Sequence, residues 1–129
     1  MSDTLVKTHG SAVFGIDAST ITVEVHISTG IAFHLVGLAD SAVKESQQRI
    51  NAALRNNGFE FPGKKIVINM APADIRKEGS AYDLTLAVGI LAASGQEIAE
   101  QLDDYVIMGE LSLDGSLQPI KGALPIAIK

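Results

Sequence analysis

Cysteine is absent from this 129-residue chain, which excludes a disulfide framework and any thiolate metal centre. Positive charge is scarce: 10 Lys and Arg stand against 15 Asp and Glu, a formal net charge of -5. A dedicated nucleic-acid binder neutralises phosphate with clustered Lys and Arg, so this balance disfavours that class and leaves room only for a local basic patch. The first ten residues, MSDTLVKTHG, lack the basic start and apolar run of a secretory signal. The most apolar segment, residues 84–93, is about half the roughly 20 residues a membrane span requires and reads as a buried helix. A cytoplasmic protein that does not enter a membrane is expected. Neither an internal repeat nor a low-complexity linker is present.

What the chain does have is a hydrophobic content of 47% with 19% charged residues, which suits one compact domain with a substantial core. Its first third alternates with period two, most clearly at Ile21, Val23, Val25 and Ile27, with Thr22, Glu24, His26 and Ser28 between them. Residues 5–16 supply an earlier strand, with a bulge expected at Gly10, and Ser28-Thr29-Gly30 predicts a hairpin into Ile31, Phe33 and Leu35. Asp40 is placed to cap a helix whose apolar stripe is Val43, Ile50 and Leu54, with Lys44, Glu45, Gln48, Arg49 and Arg55 turned to water. Gly58 ends that helix.

Residues 65–70 then read as a short strand, and 71–79 as a loop. Ser80 to Asp83 loosely matches a capping box opening a helix that runs to about Ser94 and stops at Gly95. Residues 105–113 and 116–120 read as strands joined by the two-residue turn Asp114-Gly115. The chain stops inside residues 123–129, a helix cut short, so a fragment of a longer protein is expected.

Three candidate sites arise from the residues themselves. The stretch GFEFPGKK, Gly58 to Lys65, has the spacing of a phosphate-binding loop with Lys in place of the final Ser or Thr. Such a loop must follow a strand and open a helix, whereas here the order is helix to strand, and Pro62 removes an amide donor. A helix end leading into an edge strand is the better reading. His26, His34 and Glu24 would meet across the expected hairpin, but that pairing is equally an ordinary cross-strand contact. Ser80 and Lys77 offer a Ser/Lys nucleophile pair, against which stands Ser80 as a helix N-cap. Arg76, Lys77 and Glu78 read as a solvated loop or a contact surface, and Lys44, Arg49, Arg55, Asp74, Arg76, Lys77 and Glu78 together form the expected interaction surface.

The runs VGLADSAVKESQQRI, NMAPADIRKEGSAYDL and GELSLDGSLQPIKGALP closely resemble the N-terminal domain of the Mg-chelatase-like AAA+ ATPases of the YifB and ComM family. Ala39 stands where that family usually has Pro. The resemblance implies an α+β fold of the ribosomal-protein-S5-domain-2 type, a mixed sheet with packed helices, shared with the Lon protease domain and containing a left-handed crossover. Matched to the Lon-type motifs, the nucleophile position falls on Ala81 and the lysine position on Ile126, so both members of the dyad are missing. The resemblance therefore implies a domain with no catalytic, cofactor or metal residues of its own. ATP and Mg belong to a separate downstream module of the same chain, in a homo-oligomeric ring that acts on DNA during recombination. A degenerate hydrolase and an accessory subunit of a metal chelatase are the alternatives.

Overall fold

The computed structural model describes residues 4–14, 16–95 and 102–120. Strands β1 (Thr4–Phe14), β2 (Asp17–Ser28), β3 (Ala32–Val36) and β4 (Lys65–Ala71) form one mixed sheet in the order β1-β2-β4-β3. Helices α1 (Ser41–Lys44) and α2 (Ser46–Asn56) connect β3 to β4, and α3 (Asp83–Ala93) follows β4. A small antiparallel pair, β5 (Glu110–Leu111) and β6 (Leu117–Gln118), stands apart from the main sheet. The architecture is α+β, as the resemblance implies.

Period-two alternation sorts the sheet into two faces. Val23, Val25, Ile27, Ile66, Ile68 and Met70 are buried together with Val43, Ile50, Leu54, Leu86 and Ile90 from the helices. Helix α3 lies across β1 and β2 with α2 beside it, and Thr8 Oγ1 donates to the carbonyl of Thr85 at 3.1 Å. The expected stripe of Val43, Ile50 and Leu54 is thus core, and residues 84–93 fall within a buried helix. Among the described residues no helix is long and apolar enough to cross a membrane.

The expected β2–β3 hairpin is corrected. The two strands do run in opposite directions, but β4 lies between them, antiparallel to β2 and parallel to β3. Residues 29–31 separate the strands, enough chain to cover the roughly 10 Å of two strand spacings. Alternation reports which face a residue occupies and is silent about its neighbouring strand. For the same reason Lys65 opens a central strand rather than an edge strand.

The bulge expected at Gly10 is also absent, since the β1–β2 register runs unbroken from Thr4 opposite Ile27 to Phe14 opposite Asp17. Glycine serves close approach instead: a Cβ there would lie 3.1 Å from Met108 Sδ and 3.3 Å from Tyr82 Cδ1. The helix after Asp40 is broken at Glu45 into α1 and α2. The hairpin around Asp114-Gly115 exists, but the strands expected at 105–113 and 116–120 are only Glu110–Leu111 and Leu117–Gln118, and the loop is longer than expected. Ser112 donates to Ser116 O at 2.8 Å and Gly115 to Ser112 O at 2.9 Å, closing Leu113, Asp114 and Gly115 into a three-residue loop with the glycine at φ 91°. The expected helix at 123–129, and Ile126 with it, lies outside the described residues.

Candidate functional site

Asp40, Glu78, Ser80, Ala81, Glu110 and Pro119 line a cleft of about 460 Å³. It lies where the turn after β3, the loop after β4 and strand β5 converge. Asp40 performs its expected capping role, accepting from Val43 N at 2.8 Å through Oδ1, and its Oδ2 also accepts from Gly79 N at 3.2 Å. One carboxylate thereby fixes both the start of α1 and the cleft wall.

Ser80 does not cap α3. The N-cap position is Tyr82, without a side-chain bond, and the Ser80 hydroxyl instead donates to Glu110 Oε1. Asp83 opens the helix, its N donating to Ser80 O at 3.2 Å, and its carboxylate is committed elsewhere. Its Oδ2 accepts from Arg49 Nε at 2.6 Å and from Leu111 N at 3.0 Å, and its Oδ1 accepts from Arg49 Nη2 at 2.9 Å. The first turn of α3 is supported by backbone groups, with Gly109 O accepting from Leu84 N at 3.0 Å. Ala81, at the position matched to a nucleophile, carries no functional group, and its carbonyl accepts from Gly109 N at 2.7 Å.

The seven residues of the expected interaction surface separate into two groups. Lys44, Arg55, Asp74, Arg76 and Glu78 are exposed, and Arg76 pairs with Glu78 at 2.8 Å. Arg49 and Lys77 are corrected: they do not point to water. Arg49 is drawn inward by Asp83, whose hydrogen bond raises the guanidinium pKa above its ordinary value. Lys77 has no exposed surface, and its ammonium donates to the carbonyls of Gly37, at 2.5 Å, and of Pro72. Burial lowers its pKa, with Asp74 opposing. The ammonium is therefore engaged with backbone rather than with Ser80, and the Ser/Lys pair is not assembled.

His26 and His34 flank Val67 from opposite sides, in register with it on β2 and β3. Two strand spacings, roughly 10 Å, therefore lie between them. Glu24 sits opposite Asn69, which donates to its Oε1 at 2.9 Å. His26, His34 and Glu24 do not meet as the expected hairpin would have them, and the described residues contain no cluster of three His, Asp or Glu that could hold a metal. The stretch from Gly58 to Lys65 follows the carboxyl end of α2, with Gly58 at φ 80°, and leads into β4. Lys64 lines a hollow of about 430 Å³ together with Ser94 and Gly95 beyond the carboxyl end of α3. A helix carboxyl end carries partial negative charge, so these residues do not fit a triphosphate.

Glu110 and the inward role of Lys77 were missed in the sequence. The signal for Lys77 was present. Asp74, Arg76 and Glu78 are exposed while Ile75 is half-buried and Lys77 buried, a period-two pattern hidden by the charge of the lysine.

A family model described as subunit ChlI of Mg-chelatase matches residues 23–129. The chain is 49% identical over 120 residues to an uncharacterized protein of Escherichia coli (strain K12), YifB, a match covering 92% of this chain and 24% of YifB. It is 44% identical over 122 residues to the competence protein ComM of Haemophilus influenzae, covering 94% of this chain and 24% of ComM. An uncharacterized protein of Mycobacterium bovis matches at 39% over 118 residues, covering 91% of this chain and 24% of that protein. The chain thus spans about a quarter of the length of each of these relatives.

Proposed function

Because the chain belongs to the Mg-chelatase-like family that includes YifB and ComM, we propose that it is a noncatalytic N-terminal accessory domain of an AAA+ ATPase. In this reading residues 1–129 form a single domain of the ribosomal-protein-S5-domain-2 type, related to the Lon protease domain. ATP and Mg are bound by a downstream module of the same polypeptide. The full-length protein assembles into a homo-oligomeric cytoplasmic ring that moves along DNA and drives branch migration in recombination. The domain helps assemble or orient that ring, offering the exposed charges Lys44, Arg55, Asp74, Arg76 and Glu78 as contacts.

The observation that carries this reading is the state of the cleft. Ala81 stands at the position matched to the Lon-type nucleophile, and the Lys77 ammonium is engaged by the carbonyls of Gly37 and Pro72 instead of a serine hydroxyl. Nucleophilic catalysis by serine needs a neighbouring base that takes the hydroxyl proton. The Ser80–Glu110 contact is the one feature that favours the second reading, a degenerate hydrolase in which a carboxylate serves as that base. The description of the family model favours a third, an accessory subunit of a metal chelatase, which gene neighbourhood distinguishes through tetrapyrrole synthesis against DNA uptake.

Peptidase and esterase assays of the unmodified chain, with calorimetric titration by Mg-ATP, test the proposal. Neither hydrolysis nor saturable nucleotide binding is expected. A hydrolysis rate that disappears in both Ser80→Ala and Glu110→Gln, with folding intact, would replace the accessory reading by the hydrolase. Micromolar ATP binding abolished by Lys64→Ala would overturn the assignment of nucleotide chemistry to another module.

A further inference from the structure

Among the described residues, Lys77 and Asp83 are the charged residues without exposed surface. Asp83 has Arg49 as its counter-ion, whereas Lys77 is held by two backbone carbonyls. Removing an ammonium from water is among the costliest burials a fold can contain, and it persists only where other groups compensate. The two acceptors are therefore informative. Gly37 directly follows β3 and Pro72 directly follows β4, and these strands are parallel neighbours. The ammonium thus joins the two chain reversals at the carboxyl ends of adjacent strands.

Backbone contacts repeat the tie. Lys77 N donates to Leu38 O at 3.0 Å, and Asp40 N donates to Lys77 O at 2.9 Å. Gly37 lies so close to β4 that a Cβ would fall 2.2 Å from Met70 O, at a φ of 110°. The next link is Asp40, which holds Val43 N and Gly79 N with its two oxygens. Asp40 and Gly79 both line the cleft.

The geometry points to Lys77 as an internal cationic latch, which closes the loop of residues 72–79 onto the turn of residues 37–40 and thereby sets the shape of the Asp40–Ser80–Glu110 cleft. Asp74, Arg76 and Glu78 project outward from the same strap. The latch role is independent of whether the cleft is catalytic.

Amide hydrogen exchange on the chain tests the latch. Lys77→Met keeps the length of the side chain and removes its charge and donors. The amides of residues 40, 77 and 79 should then exchange at least about tenfold faster while those of β2 and α3 keep their protection, the pattern of local rather than global opening. Lys77→Ala should behave alike, with protection at those amides restored by n-propylammonium and not by n-propanol. Unchanged exchange at the three amides in Lys77→Met, or equal loss across the core, would overturn the latch. Should Lys77→Met not fold, refolding of Lys77→Ala decides: recovery with the amine and not the alcohol supports the latch, and any other result overturns it.

Discussion

Arg49 on α2 grips Asp83 at the start of α3 through two hydrogen bonds, Nε to Oδ2 at 2.6 Å and Nη2 to Oδ1 at 2.9 Å. The fork binds two helices together and keeps Asp83 buried. Nη2 also donates to Ala42 O at 2.8 Å, and Asp83 accepts from Leu111 N at 3.0 Å, so the pair joins α1, α2, α3 and β5.

Removing Asp83 leaves the buried Leu111 N without its acceptor and the partly exposed Arg49 without its counter-ion, and one unsatisfied buried group costs about 1 to 3 kcal/mol. Asp83→Ala should reach that range in denaturant melts. Arg49→Lys should lose less, since an ammonium keeps the charge without the planar fork. A loss under about 1 kcal/mol in Asp83→Ala would show the pair to be peripheral.

Ser80 separates two local geometries. As an N-cap it would tolerate Asp, whereas the structure places its hydroxyl against the Glu110 carboxylate. Ser80→Ala should cost about 0.5 to 1.5 kcal/mol, the usual worth of one hydrogen bond. Ser80→Asp should be worse than Ala, because two carboxylates would then face each other. Stability of Ser80→Asp equal to the parent would restore the capping role.

How far this site was legible in the sequence depended on which signals are local. Asp40 as a cap, Gly58 as a helix end and the Val43, Ile50, Leu54 stripe each follow from a few neighbouring residues, and each is present. The resemblance supplied the family and the α+β class. The partner of β3, the partner of Asp83 and the Gly37 acceptor that turns Lys77 inward lie 33, 34 and 40 positions away in sequence. Charge misled twice, since Arg and Lys in amphipathic patterns are ordinarily assigned to solvent, and each is satisfied here by a distant partner.

Tyr82 gives a pH dependence of defined sign. Burial raises its pKa from 10.0 to about 12, with Asp40 and Glu78 adding to the effect. The unfolded chain therefore loses this proton before the native one does. The contribution is fully present below pH 10 and is lost as pH rises from 10 towards 12. It amounts to roughly 2 to 3 kcal/mol. Tyr82→Phe should flatten this segment of a stability profile, while an unchanged slope would place the phenol in water.

Gly37 should tolerate no side chain. Its Cβ would meet Met70 O at 2.2 Å with φ at 110°, so Gly37→Ala combines a backbone clash with left-handed strain and should cost at least about 2 kcal/mol. Gly58→Ala, with φ at 80° and nothing within 4 Å, should cost only the strain, about 1 kcal/mol. Equal losses in thermal melts would contradict the close approach at the end of β4.

The accessory role is tested most directly by comparing the full-length protein with a form lacking residues 1–129, measuring ATP hydrolysis per subunit and ring assembly by sedimentation on the same samples. A noncatalytic assembly domain predicts that hydrolysis per assembled subunit survives the deletion while the population of rings falls. Hydrolysis lost in rings that still form would contradict it, because the domain would then supply a group to the chemistry.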